Sequence, residues 1–230
     1  MAIRTCNLNG NPFIGVFCRL MGNIVICPIE TGDEIIELIR EVLGAEVHRT
    51  SAGSTNLHGS LVAANSKGLI APFFYSEEEL AKPPVDGRDG NFLEGVRIVI
   101  SDDPLTAWGN NVLLSETKAL INPDIPKGSI KVLEDTFDVE VVRGAISGIK
   151  TVGSIAVLNS KGMVVHPKAS PDDMQLLEEV FGVKPYISTA NFGSPHLGAS
   201  MIANDRGALV GSKSSGVELN RIENSLDIID

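Results

Sequence analysis

The sequence predicts an α/β fold in which five repeated units close into a ring. The main observation is a recurring pattern in which a glycine is followed by an apolar run, a polar turn, a second apolar run and a chain breaker. Periods of roughly 20 to 50 residues indicate a repeat architecture. The leading glycines, spaced by 44, 50, 44 and 45 residues, are Gly15, Gly59, Gly109, Gly153 and Gly198. We therefore predict a single domain with units at about 1–44, 45–95, 96–138, 139–182 and 183–230.

The two ends of the chain favour a ring over an open rod. An open solenoid needs polar variants of its terminal units, because each unit otherwise exposes an apolar face. Here the first and last units both carry apolar residues at helical spacing, including Ile35 and Leu38 in the first unit and Ile222 and Leu226 in the last. Closure into five blades would remove the exposed ends.

Each unit is expected to begin with a short strand and to continue with a hairpin. Alternation and β-branched residues predict the opening strands, which lie at 2–5, 46–50, 96–100, 139–143 and 186–189. The apolar runs 61–64 and 155–158 do not alternate, which is typical of strands buried on both faces. The turns 65–68, 159–162 and 204–207 end in a glycine where we expect a positive φ, as in a hairpin.

A helix is expected after each hairpin. Thr31, Ser76, Ser170 and Ser215 each precede an acidic residue by three positions, which is the capping pattern at a helix N-terminus. The third helix lacks this pattern, and the Pro83-Pro84 pair is expected to end the second helix early.

Composition limits the partners that the chain can bind. A net charge of −10 and a pI near 4.9 argue against a partner that is mainly phosphate backbone, because such binding uses clusters of Lys and Arg. A basic protein surface suits this charge better. The N-terminus has no signal-peptide pattern and no run is long enough to span a bilayer. We therefore expect a cytoplasmic protein, whose cysteines Cys6, Cys18 and Cys27 are buried rather than paired.

Several segments, in the same order and at the same spacing, resemble the translation initiation factor 6 family over essentially the whole chain. They lie at 10–17, 65–72, 108–114, 151–168 and 207–219. The resemblance implies the pentein fold of five ββαβ-type units. It also implies binding to the intersubunit face of the large ribosomal subunit, chiefly to a uL14-type ribosomal protein beside the sarcin-ricin loop. Such binding would keep the small subunit from joining, with a further role in large-subunit maturation. We expect a monomer that has no cofactor or metal and makes limited direct contact with RNA.

The resemblance also implies contact residues. Family positions that face the ribosome match Gly15, Ser60 and Asn110 here. Because equivalent positions of five units share one rim of a ring, we extend this set by symmetry to Val16, Ser154 and Ala199. Trp108 precedes a leading glycine, and tryptophan is enriched among interface hot spots. We include it as a contact, with packing against neighbouring loops as the alternative.

The opposite rim is expected to carry the hairpin turns. Four of these turns present a cation, namely Lys67, Lys118, Lys161 and Arg206. They could face RNA, but solvated side chains on exposed turns are the favoured interpretation.

Two other functions are alternatives to ribosome binding. Some pentein proteins are guanidine-modifying hydrolases that use a cysteine nucleophile late in the chain, whereas no cysteine follows Cys27 here. The four histidines, His48, His58, His166 and His196, form no repeated or metal-like set. Without a nucleophile near a base, covalent catalysis has no starting point, so we predict that the protein is not an enzyme. A scaffolding ring that binds other proteins is the remaining alternative.

Overall fold

The computed structural model describes residues 2–81 and 95–228. Its strands are β1 Ile3–Cys6, β2 Arg19–Met21, β3 Ile24–Pro28, β4 Glu46–Thr50, β5 Ala63–Ala64, β6 Gly68–Pro72, β7 Arg97–Ser101, β8 Val112–Leu114, β9 Lys118–Ile121, β10 Glu140–Arg143, β11 Ala156–Leu158, β12 Met163–Val165, β13 Pro185–Ile187, β14 Met201–Ala203 and β15 Ala208–Gly211. Its helices are α1 Ile14–Phe17, α2 Asp33–Leu38, α3 His58–Leu61, α4 Glu77–Ala81, α5 Trp108–Asn111, α6 Lys127–Phe137, α7 Val152–Ile155, α8 Pro171–Phe181, α9 Leu197–Ser200 and α10 Gly216–Ser225, and a π-helical turn, Ile39–Leu43, continues α2.

The strands form five three-stranded sheets built to one plan. In each sheet an antiparallel hairpin pairs through its second strand with a third strand that runs parallel to it. The third strand comes from the next sequence period, so β4 completes the sheet of β2 and β3. The sheet boundaries are therefore offset from the periods of the sequence.

The N-terminal strand closes the ring. β1 pairs in parallel with β15, with Ile3 opposite Ala208 and Cys6 opposite Gly211. The first residues of the chain thereby supply the third strand of the last sheet. This arrangement confirms the predicted α/β class, and the five ββαβ-like units are the pentein fold.

The core lies between neighbouring blades. The second hairpin strands, such as β3 and β6, are buried at every position. The runs predicted to be buried strands, 61–64 and 155–158, are buried or partly buried throughout, and each begins with the last residue of α3 or α7. Helices α6, α8 and α10 each contact the second hairpin strand of the preceding blade. Among the residues that the structure describes, no helix is long and apolar enough to cross a membrane.

Most of the predicted helix caps are present. Ser170 and Ser215 both form complete capping boxes, and the Glu79 amide donates to the Ser76 hydroxyl at 3.2 Å. The prediction was wrong for Thr31, because α2 begins one residue later, after Gly32, and receives no side-chain cap. The predicted effect of Pro83-Pro84 falls outside the described residues.

The hairpins are confirmed, but the expected reason for their glycines was wrong. Gly68, Gly162 and Gly207 are not among the residues with positive φ. A Cβ on Gly68 would instead lie 2.0 Å from the carbonyl oxygen of Thr136, and one on Gly162 would lie 2.0 Å from that of Ser225. These carbonyls belong to the last turns of α6 and α10, so glycine is required for close approach between neighbouring blades.

Candidate functional site: the helical-turn face

The residues around each leading glycine form a one-turn helix, which the sequence analysis missed. These turns are α1, α3, α5, α7 and α9, and each contacts the next in cyclic order, with α9 contacting α1. Four residues are too few to show helical periodicity, and the strands expected at 61–64 and 155–158 include Leu61 of α3 and Ile155 of α7. We call these five turns, with the loops that lead into them, the helical-turn face.

The leading glycines form the innermost ring of this face. None of them has a positive φ. A Cβ on each would instead lie 2.0 to 2.3 Å from the carbonyl oxygen of the preceding glycine in the ring, the five pairs being Gly15 with Gly198, Gly59 with Gly15, Gly109 with Gly59, Gly153 with Gly109 and Gly198 with Gly153. A tight turn with positive φ is therefore not the reason for glycine at these positions. A side chain at these positions would collide with the neighbouring backbone.

The residue after each leading glycine is the third residue of its turn. These residues, Val16, Ser60, Asn110, Ser154 and Ala199, are all partly exposed. Their hydrogen bonding differs. The Ser154 hydroxyl donates to the Thr151 carbonyl at 2.7 Å. The Asn110 side chain makes no hydrogen bond to any part of the chain that the structure describes. Its amide can therefore bind a partner without first breaking an internal bond.

Trp108 does not reach the surface of this face. Its side chain is fully buried, with 0% exposure, and packs in the cluster that contains Val112, Ile121 and Phe137. The prediction of a direct contact was wrong, and the alternative of internal packing holds. Trp108 is the first residue of its turn, where the other four turns also place a buried residue. Aligning the repeats by this position would have revealed the burial.

His58 occupies the same first position in α3. It is fully buried, its Nε2–H donates to the Thr50 carbonyl at 3.1 Å, and its Nδ1 accepts from the Tyr75 hydroxyl at 2.9 Å. Burial lowers the pKa of His58 to about 4, partly offset by the hydrogen bond to Thr50. The imidazole is neutral at physiological pH and supports the turn from inside.

A cavity of about 520 Å³ lies within the ring, lined by the first strand of each hairpin. Arg19 lines it and donates to the Gly59 carbonyl. Burial lowers the pKa of Arg19 to about 10, so it remains charged at neutral pH. Cys18 also lines the cavity, but burial and the nearby Cys27 and Cys6 raise its pKa well above the usual value. Such a thiol is the opposite of an activated nucleophile.

The opposite end of the ring, which we call the hairpin face, consists of the turns 65–68, 115–118, 159–162 and 204–207. Its predicted cations are engaged within the chain. Lys67 contacts the Asp138 carboxylate at 2.8 Å and the Glu116 carbonyl at 3.3 Å, and Lys118 pairs with Glu140. Lys161 donates to the carbonyls of Asp205 and Asp227 at 3.3 and 3.1 Å, and Arg206 lies against Gly44.

Comparison with known proteins agrees with this architecture. The sequence profile described as the eIF-6 family matches residues 3–225. The chain is 38% identical to translation initiation factor 6 of Picrophilus torridus over 219 residues, covering 95% of this chain and 96% of the relative. It is 35% identical to the Methanosarcina mazei protein of the same name, covering 99% and 100%. The Methanocaldococcus jannaschii protein of that name is 37% identical, covering 96% of both chains.

The closed ring of five blades, together with these relatives, places the chain among translation factors of the pentein fold. With its profile matched over almost the whole length, the chain belongs to the eIF-6 family.

Proposed function

We propose that this protein binds the large ribosomal subunit at its intersubunit face and blocks premature joining of the small subunit. The observation that carries the proposal is the helical-turn face itself, where five equivalent positions surround one end of the ring and the Asn110 side-chain amide has no partner among the described residues. The mechanism is steric. A bound ring would occupy space that the small subunit needs, and specific interfaces of this kind commonly bury about 1,200 to 2,000 Å² in total.

A basic ribosomal protein of the uL14 type, beside the sarcin-ricin loop, is the partner that we propose. The charge of −10 on this chain favours encounter with a basic surface and predicts an association rate that falls with salt. Direct contact with RNA is proposed to be limited, because Lys67, Lys118 and Lys161 of the hairpin face are already bound to carboxylates or carbonyls of the same chain.

The proposed role is non-catalytic. A hydrolase of the guanidine-modifying type would need an activated thiolate in the cavity, whereas burial raises the pKa of Cys18. The names of the relatives support a role in translation initiation. We propose that the protein performs this role on cytoplasmic ribosomes as a monomeric ring. We also propose that it takes part in maturation of the large subunit.

Sedimentation with separated ribosomal subunits tests the proposal. The purified protein should travel with large subunits and not with small ones, and prior addition should reduce formation of joined ribosomes. Protein that stays at the top of the gradient with large subunits at low salt would contradict the proposal.

Asn110 tests which face binds. Asn110→Ala removes the free amide and should weaken binding to large subunits by about tenfold, as expected for loss of one hydrogen bond in a desolvated interface. Asn110→Tyr should weaken it further by steric conflict. Asn220→Ala, an exposed position on α10, is the matched control. Equal binding by all three variants would remove the helical-turn face from the proposal.

A further inference from the structure

The loops that lead into the helical turns differ in length, and one of them carries an extra residue. In the first and fourth units an isolated bridge, Leu8 with Asn11 or Ile146 with Ile149, encloses a two-residue turn. In the fifth unit the corresponding bridge joins Ala190 to Ser194 and encloses three residues. The turns are Asn9-Gly10 with φ of 51° and 80°, Ser147-Gly148 with 53° and 72°, and Asn191-Phe192-Gly193 with 50°, 62° and 94°. Phe192 is the added residue.

Neither burial nor backbone preference explains a phenylalanine at this position. Its side chain is 86% exposed, more than any other large apolar side chain in the described part of the chain. Its φ of 62° lies in the left-handed region, where a bulky residue is an outlier and where glycine or asparagine is preferred. Strain of this kind persists when the surrounding structure imposes it, and it is concentrated at functional sites.

The surrounding structure holds this loop firmly. The Glu218 carboxylate, only 5% exposed, accepts the amides of Gly193 at 2.8 Å and Phe192 at 3.3 Å and the Thr189 hydroxyl at 2.8 Å. The Asn191 side-chain amide donates to the Pro12 carbonyl at 2.9 Å, and the Asn191 backbone N–H donates to the Ser214 hydroxyl at 2.8 Å. The loop is therefore organised before any partner arrives, which reduces the entropy lost on binding.

We propose that Phe192 is an anchor that inserts into an apolar pocket of a protein on the large ribosomal subunit. The inference rests on the proposed function and names a contact within it. The loop of Phe192 leads directly into α9, so the side chain belongs to the helical-turn face. Aromatic side chains in desolvated pockets account for much of the binding energy at interfaces. Phe192 is an aromatic side chain on a loop whose backbone would not have to rearrange on binding.

A protein pocket suits this site better than a nucleobase. The segment 213–218 accepts hydrogen bonds from the loop through Ser214 and Glu218. It carries Val217, which is 64% exposed, so the local surface is aliphatic as well as aromatic. Proteins that stack aromatic side chains on bases combine them with a basic groove that follows the nucleic-acid backbone. That segment carries one lysine, Lys213, on a chain whose net charge is −10.

The test replaces Phe192 with residues that suit its backbone. Phe192→Asn and Phe192→Gly both tolerate a left-handed φ, so the unfolding midpoint should be unchanged or higher. Their dissociation constants for purified large subunits should rise about tenfold or more. Val132→Asn is the matched control, since Val132 is 40% exposed but lies on α6, and its affinity should equal that of the unmodified protein.

The outcomes separate this inference from the proposed function. If the unmodified protein binds large subunits and both Phe192 variants bind equally well, the anchor is overturned and the proposed function stands. If the unmodified protein fails to bind, both are overturned.

A photocrosslinker identifies the occupant. With p-benzoylphenylalanine at position 192, irradiation of the complex with large subunits should attach the chain to a ribosomal protein. A crosslink confined to ribosomal RNA would overturn the protein pocket in favour of a nucleobase.

Discussion

The two faces of the ring differ in what holds neighbouring blades together. On the hairpin face, side chains of one blade bond to the next, as where Asn65 donates to the Phe137 carbonyl at 3.0 Å and the Glu116 carboxylate accepts the Ser66 amide at 3.2 Å. On the helical-turn face the blades meet mainly through backbone, glycine against carbonyl. One face therefore uses its polar side chains internally, whereas the other leaves Asn110 and Phe192 available to a partner.

This difference has a physical basis in repeat geometry. Close approach of backbones needs no side-chain partners, so the third residue of each helical turn is free to vary between Val16, Ser60 and Asn110 without loss of the ring. The hairpin face repeats its chemistry instead, since Asn65, Asn159 and Asn204 all donate to a carbonyl at the end of another unit's helical segment. The polar side chains that join neighbouring blades and the side chains that we propose to contact a partner thus lie at opposite ends of the ring.

The largest effect is expected from a side chain in the glycine ring. Gly109→Ala places a Cβ about 2.1 Å from the Gly59 carbonyl oxygen, and neither backbone can move without disturbing its own neighbours. We expect a loss of more than about 4 kcal/mol in the free energy of unfolding, or no folded protein. Gly216→Ala in α10 is the control, because no described atom outside its own helix backbone and its chain neighbours lies within 4 Å of the added Cβ, and it should change stability by less than about 1 kcal/mol. Urea unfolding measures both, and a stable Gly109→Ala protein would refute the proposed reason for glycine.

Acid should lower the stability of the folded protein through His58, which supports a turn of the helical-turn face from inside. Because the folded protein holds the pKa of His58 near 4, below its usual value of 6.5, the unfolded state binds the proton more readily. The contribution of His58 to stability is therefore complete above pH 6.5 and declines as the pH falls toward about 4, by roughly 3 kcal/mol at most.

The pH dependence of unfolding tests this statement against a variant. His58→Gln should flatten the decline between pH 6.5 and 4, although it lowers stability at neutral pH because the two hydrogen bonds of the ring are altered. A slope that persists in His58→Gln would assign the acid sensitivity to other groups.

A smaller loss is expected on the hairpin face. Asn65 is 4% exposed, donates to the Phe137 carbonyl and accepts the amides of Lys67 and Gly68, each at 3.1 Å. Asn65→Ala should lower the free energy of unfolding by about 2 kcal/mol, because it leaves a buried carbonyl and two amides without these partners. Binding to large subunits should be unchanged, and a large loss of binding with normal stability would contradict the division between the two faces.

The sequence predicted the repeat better than the details of the site. The period, the opening strands and the Ser170 and Ser215 caps follow from local chemistry and were found where expected. Trp108 was misplaced because exposure depends on which side of a four-residue turn faces the core. Phe192 was missed because its exposure and left-handed backbone depend on a one-residue insertion held by Glu218, 26 positions away. Contacts between distant segments are what local patterns do not contain.

The smallest effect is expected from the cations of the hairpin face. Lys67 and Asp138 form an ion pair at 2.8 Å, but the Asp138 side chain is 82% exposed, and exposed pairs contribute little to stability. Lys67→Met should therefore change the free energy of unfolding less than any other variant proposed here to alter stability. The same variant should bind large subunits normally, in contrast to Asn110→Ala and Phe192→Asn. Suppose instead that Lys67→Met or Lys161→Met reduced binding severalfold and made it less sensitive to salt. The hairpin face would then be facing RNA, and the binding surface would have to be assigned to the hairpin face instead of the helical-turn face.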